Sequence, residues 1–105
     1  MNTATEIKVD NEGYLHDHND WSLRFLSTAA TSNDVELTDD MINAVYSMRE
    51  YYNDFGVVPP ISAFSRKLTV KLNKKVNSDY IHELFPKGIN QAAKFAGLAK
   101  PTGCL

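Results

Sequence analysis

Apolar residues in this chain are spaced for helices almost throughout, with one short stretch near the amino end that alternates instead. Met41, Val45, Met48, Tyr52 and Phe55 recur in steps of four and three, which lines one face of a 3.6-residue helix. Thr38 stands where an N-cap is needed, Asp39 and Asp40 suit the positive end of the helix dipole, and Gly56 closes the segment. The same reasoning predicts a helix from Trp21 to Ala30, with Trp21, Phe25, Leu26 and Ala29 on one face. Asp17 to Asp20 supply its caps, and Thr31-Ser32-Asn33-Asp34 breaks it. A third helix takes Pro59-Pro60 in its first turn, where proline is tolerated, and turns Ile61, Phe64, Leu68 and Leu72 inward. Asn77 or Ser78 caps a fourth, short helix through Tyr80, Ile81, Leu84 and Phe85, stopped by Pro86. Ile89 to Ala96 makes a fifth, with the small residues Ala92, Ala93 and Ala96 allowing close approach, and Gly97 ends it. The alternating stretch is Glu6-Ile7-Lys8-Val9, which the turn formers Asp10 to Gly13 connect to Tyr14-Leu15-His16; this reads as a β-hairpin that must pack on the helices to persist.

The expected fold class is therefore mainly α: a small orthogonal bundle of about five helices with an N-terminal β-hairpin and a flexible C-terminal arm over residues 97–105. At 105 residues, and with neither a repeat nor a linker, the chain reads as one domain spanning 1–105. Hydrophobic residues at 43% and charged ones at 23% fit a globular core, which sets aside disorder and disulfide scaffolds. No apolar run is long enough for a membrane span and Met1 to Asp10 lack signal-peptide character, so the expected location is the cytoplasm.

A net charge of −2 gives no general attraction to nucleic acid. Arg66, Lys67, Lys71, Lys74 and Lys75 nevertheless place five cations within ten residues, either a solvated helix face or a docking patch for an acidic protein or for RNA bound to a partner enzyme. The prolines between the second and third helices, and the lack of Arg, Asn and Gln at the start of the third, argue against a base-reading helix-turn-helix. His16 and His18 share one face of an extended segment but have no third ligand at metal-binding spacing, so no metal site and no cofactor is expected.

The chemistry points to Cys104, the single cysteine and the penultimate residue. Pro101 prevents the helix from resuming and Gly103 leaves the backbone beside the sulfur unconstrained. With one cysteine there is no internal disulfide or CxxC pair, so covalent sulfur exchange has to involve another molecule.

Leu84-Phe85-Pro86-Lys87-Gly88, Gln91-Ala92, Ala96-Gly97-Leu98 and Lys100-Pro101-Thr102-Gly103-Cys104 resemble the carboxyl end of the DsrC/TusE family of sulfur-relay carriers. Gly13-Tyr14-Leu15, Trp21, Leu37-Thr38, Arg49-Glu50-Tyr51-Tyr52, Pro59, Ile61 and Asn77-Ser78 with Tyr80 follow in the family's order, so the resemblance covers nearly the whole chain. It implies that Cys104 accepts a persulfide sulfur from a donor protein complex and passes it to an acceptor enzyme. Lys87, Lys100, Arg66 and Lys67 are the candidate arm or partner contacts.

In members that work with dissimilatory sulfite reductase, a second cysteine precedes the penultimate one by eleven residues; that position here is Ala93. The single-cysteine pattern resembles the TusE branch, whose acceptor is a tRNA thiouridylase that makes 2-thiouridine at the wobble position. The alternatives are a single-cysteine carrier in another sulfur pathway, partnering sulfite reductase or sulfur oxidation, and a non-catalytic adaptor that binds nucleic acid through the basic stretch. Ala99 stands where the family usually has proline, and Met41-Ile42 replaces a common His-Trp pair.

Overall fold

Three of the five helices begin where a side-chain oxygen takes an amide that has no partner inside the helix. The computed structural model describes residues 9–11 and 13–98. Within them run α1 (Leu23–Ser32), α2 (Asp39–Phe55), α3 (Ile61–Leu72), α4 (Ser78–Leu84) and α5 (Ile89–Phe95), preceded by a 3₁₀ turn at His18–Asp20. Ser22 Oγ accepts from the Phe25 amide at 3.1 Å, Thr38 Oγ1 from Met41 at 3.1 Å and Asn77 Oδ1 from Tyr80 at 3.0 Å. Gly56 closes α2 in the left-handed region, with φ 74°.

Two starts differ from expectation. Asp17 caps the 3₁₀ turn and not α1, which leaves Trp21 outside the helix in extended backbone and makes Ser22 the cap. Pro60 occupies the N-cap position of α3 instead of its first turn.

The described residues do not form the expected N-terminal hairpin: they contain one isolated antiparallel bridge, Val9 with Leu15, and no strand. Residues 6–8 of the expected first strand lie outside the described residues. The reason for the missing ladder is local. The Asp10 amide donates to the Tyr14 carbonyl at 2.9 Å, as in a ladder, but the return bond from the Tyr14 amide goes to Asp10 Oδ1. The Asp10 carbonyl is meanwhile taken by the Gly13 amide at 3.0 Å. An aspartate side chain thus replaces a backbone rung, converting a strand pair into a turn. The turn is held from the other side, where the buried Tyr14 donates its hydroxyl to the Asn90 carbonyl at 3.2 Å.

One apolar core joins all five helices. α2 packs against α3 and α5, α1 against α5, and α3 against α4. Met41, Val45 and Met48 of the α2 stripe are fully buried, whereas Phe55 at the end of the same stripe is 65% exposed, because α2 extends past the elements that cover it. Phe64, Leu68, Ile81, Phe85 and Phe95 complete the interior, with Phe85 and Phe95 in edge-to-face contact at 6.0 Å. Among the described residues no helix is long and apolar enough to cross a membrane.

Candidate functional site

Cys104 and Lys100, with the rest of the expected arm past Leu98, lie outside the described residues; its root does not. Residues 97–98, expected to open the arm, belong instead to the packed body. α5 is only seven residues long, and its small side chains Ala92 and Ala93 are buried, which seats it against α1 and α2. Its last four carbonyls have no partner in the helix itself, and each is accounted for.

The Leu98 amide donates to the Ala93 carbonyl at 3.0 Å and the Gly97 amide to the Lys94 carbonyl at 3.1 Å. With Gly97 at φ 75°, this pair of bonds is a Schellman motif. The next two carbonyls are claimed from far away in the sequence. Trp21 Nε1 donates to the Phe95 carbonyl at 2.8 Å, and an Arg49 guanidinium nitrogen donates to the Ala96 carbonyl at 2.8 Å. The guanidinium lies over the indole, 4.7 Å from its centroid, and Tyr46 meets the same ring edge-on at 5.4 Å.

The packing leaves no slack at this point. A Cβ on Gly97 would lie 2.8 Å from Leu15 Cδ1 and 2.8 Å from Trp21 Cδ1. Ala96 and Leu98 on either side are buried. Burial pulls the Arg49 guanidinium below its ordinary pKa, with the Tyr46 phenol acting in the opposite sense. The group stays cationic at neutral pH, and a cation at the carboxyl end of a helix complements the helix dipole.

The other predicted contact residues are dispersed. Lys87 is exposed at the opposite end of α5, roughly 10 Å along the axis from the root. Its amide donates to Gln91 Oε1 at 3.1 Å, so its backbone, not its ammonium, helps to start the helix. Lys67 pairs with Glu50 of α2 at 3.3 Å, and Lys71 reaches the other oxygen of Glu50 at 3.5 Å. Burial raises the Glu50 carboxyl, but the two lysines outweigh it and hold the group below its ordinary range. Lys74 pairs with Asp40 at 2.6 Å, and Arg66 is exposed on α3. Three of the five cations in the basic stretch are thus paired with two α2 carboxylates, Lys67 and Lys71 sharing Glu50 and Lys74 taking Asp40. His18 packs edge-on against Tyr52 at 5.2 Å, and among the described residues no group of three His, Cys, Asp or Glu side chains is arranged to hold a metal.

Gly97 is legible in the sequence as a helix stop, whereas the Trp21 and Arg49 bonds are not. They join residues 74 and 47 positions apart, and nothing local in either segment announces them.

A small helical body that locks the root of a cysteine-bearing chain end is the class of protein that this geometry defines. The whole chain from residue 2 to residue 105 matches the family described as DsrC like protein, and it belongs to that family. It is 38% identical over 102 residues to Sulfurtransferase TusE of Salmonella choleraesuis, covering 95% of this chain and 94% of that one. It is 32% identical to Sulfurtransferase TusE of Buchnera aphidicola from Acyrthosiphon pisum over 105 residues, covering 98% of this chain and 92% of the relative. Among solved structures it is similar to the NMR structure of Allochromatium vinosum DsrC, with a TM-score of 0.84 and 39% identity over 94% of this chain and 90% of that one. The oxidized gamma-subunit of the dissimilatory sulfite reductase (DsrC) from Archaeoglobus fulgidus aligns at TM-score 0.79 and 29% identity, covering 94% and 92%.

Proposed function

We propose that the chain is a sulfur carrier that accepts persulfide sulfur on Cys104 and relays it to an acceptor enzyme in the cytoplasm. The observation that carries this reading is the placement of the single cysteine six residues beyond Leu98, where the locked helix end stops. Six residues span at most about 20 Å, enough to enter a partner's cleft while the body stays outside. The relatives named as sulfurtransferases support the same reading.

The chemistry needs one reactive group. The Cys104 thiolate attacks the outer sulfur of a donor persulfide, R–S–SH; the bond between the two donor sulfurs breaks, and the donor leaves as R–S⁻. Cys104 then carries –S–SH, one sulfur atom has moved, and no outside oxidant or reductant is consumed. A cysteine of the acceptor repeats the attack on Cys104. An unperturbed thiol with a pKa near 8.5 is only a few per cent ionised at pH 7, so activation falls to the partner's site. Lys100 and Lys87 are the proposed guides of the arm, and Arg66 and Lys67 the proposed partner contacts.

The acceptor we favour is a tRNA thiouridylase acting on the wobble uridine. Ala93 favours this branch, because a fully buried alanine stands where a two-cysteine member would carry its second sulfur. A second reading, a single-cysteine carrier for another sulfur pathway, is favoured by the 39% identity to Allochromatium vinosum DsrC. Loss of wobble 2-thiouridine on gene deletion supports the first, and unchanged thiolation supports the second.

The carrier role is tested by incubating the reduced protein with a cysteine desulfurase, cysteine and general sulfur-relay proteins, followed by peptide mass spectrometry. One added sulfur atom on Cys104, removed by dithiothreitol and absent from Cys104→Ser, is the expected result. Sulfur acceptance by folded Cys104→Ser would overturn it.

A further inference from the structure

Trp21 and Arg49 stand among the residues that carry the family resemblance, yet neither has a part in the sulfur chemistry. Their contacts suggest a different task. At the end of a surface helix, carbonyls that the Schellman bonds leave over are ordinarily hydrated. Here the two that remain, Phe95 and Ala96, are each bound by a side chain from a distant element at 2.8 Å.

The two donors also hold each other. The guanidinium rests on the indole face, Tyr46 buttresses the indole edge, and Gly97 brings its backbone so close to Trp21 that a methyl group would not fit. Among the described residues no carboxylate lies within 4.0 Å of Arg49, so its bond to a backbone carbonyl is not the by-product of a surface ion pair. What these contacts fix is the orientation of consecutive peptide groups from Phe95 to Gly97, and through them the direction in which the chain passes Leu98. Cys104 follows Leu98 by six residues, so the clamped helix end is the point from which the sulfur is carried.

We infer that Arg49 and Trp21 are positioning residues for sulfur transfer: by fixing the exit direction of the chain from α5, they determine where Cys104 meets a protein partner's persulfide. The inference rests on the carrier reading above. Neither residue is a reacting group, and the effect is on encounter geometry rather than on thiol reactivity.

The test uses the full chain with Arg49→Met, Arg49→Lys and Trp21→Phe, and two sulfur donors. Glutathione persulfide is a small donor that needs no docking surface. A cysteine desulfurase charged with cysteine, together with general sulfur-relay proteins, is a donor that has to dock. Arg49→Met is expected to slow uptake from the protein donor about tenfold, a modest share of what misplacing a reacting group by 1 Å costs. Uptake from glutathione persulfide should stay within about twofold of the wild type, since the chemistry of the thiol itself is untouched. Arg49→Lys, which keeps a cationic donor, should recover most of the rate, and Trp21→Phe, which keeps the ring and loses the donor, should fall between. Far-ultraviolet circular dichroism identifies any variant that has not folded. Should Arg49→Met fail to fold, Arg49→Lys and Trp21→Phe decide the matter through the same two-donor comparison.

Equal rates with the protein donor for wild type and folded variants would overturn the inference while leaving the carrier reading intact. A parallel fall with both donors would also overturn it, by locating the effect on the thiol. A wild-type protein that takes no sulfur from either donor would overturn the carrier reading and the inference with it.

Discussion

Arg49 and Ala96 are 47 residues apart in the chain and are joined by a 2.8 Å hydrogen bond from the guanidinium to the backbone carbonyl. With the Trp21 bond to Phe95, it ties the middle of α2 and the segment before α1 to the end of α5. The body therefore ends in a fixed point. The positioning role inferred for Arg49 and Trp21 depends on the stability of that point, and it is open to measurement without any partner.

Gly97 and Gly56 provide the sharpest comparison. Both adopt left-handed backbone, at φ 75° and 74°, so a side chain at either position meets the same conformational cost of about 1–2 kcal/mol. Their surroundings differ: nothing lies within 4 Å of a Cβ built on Gly56, whereas one on Gly97 meets Leu15 and Trp21 at 2.8 Å. Gly97→Ala should lose a further ~1–3 kcal/mol for the forced packing, and Gly56→Ala should not. Urea unfolding of the two variants checks this, and equal losses would show that Trp21 and Leu15 give way freely.

The two glycines also show what could be read before the structure. Gly56 and Gly97 announce themselves as helix stops, and Thr38 as a cap, because those signals are local. Ser22 does not stand out as the cap of α1, because Asp17, Asn19 and Asp20 are equally good caps by composition; Trp21 lies outside the helix and bonds Phe95. The hairpin failed for a similar reason. Among the described residues, the Asp10 carboxylate takes the Tyr14 amide that a backbone rung would need. The basic stretch reads either as a solvated face or as a docking patch, and its pairing with Glu50 and Asp40 is not legible locally because both lie on another helix. Pairings between distant elements leave no mark in a local pattern.

Met48 and Phe55 belong to one apolar stripe of α2 and should behave differently. Met48 is fully buried and Phe55 is 65% exposed. Met48→Ala should cost about 2–5 kcal/mol, since it removes buried methylene groups and leaves a cavity. Phe55→Ala should stay within about 0.5 kcal/mol, as for most surface changes. Denaturant midpoints at constant slope measure both, and a large loss at Phe55 would mean that its contact with Tyr51, 4.5 Å between ring centroids, holds the end of α2.

Ser47 presents the opposite case, a buried group whose removal should help. It is fully buried in α2, and its hydroxyl has no hydrogen-bond partner among the described residues. An unsatisfied buried hydroxyl costs roughly 1–3 kcal/mol, and alanine is also the better helix former. Ser47→Ala should therefore stabilise the protein by about 1 kcal/mol, read as a higher urea midpoint. A destabilised variant would show that the hydroxyl is satisfied in solution, by an enclosed water for instance.

The Asp40, Lys74 and Tyr80 cluster predicts how stability responds to pH. The Tyr80 hydroxyl donates to Asp40, and Lys74 bonds both Asp40 and the Tyr80 oxygen while lying 4.7 Å from that ring's centroid. The bonds from Lys74 and Tyr80 hold the Asp40 carboxyl below its ordinary range. A carboxyl depressed on folding contributes stability that is complete above its unfolded pKa, near 3.9, and is lost as pH falls through the folded value. Lys74 is raised, chiefly by Asp40, and Tyr80 is raised, chiefly by its bond to the same carboxylate. For both, the contribution is complete below the unfolded pKa, near 10, and disappears as pH rises through the folded value. The cluster should therefore support the junction of α2 with α4 between about pH 5 and 9, with losses on both sides. Asp40→Asn removes the charge that raises Lys74 and Tyr80, together with the titrating carboxyl itself, so the difference in unfolding midpoint between wild type and variant should be greatest on that plateau and shrink towards pH 3 and pH 11. The groups are near the surface, so the difference should also diminish as salt is added. A difference that is constant across pH would assign the effect of Asp40 to its position at the start of α2 instead of to its partners.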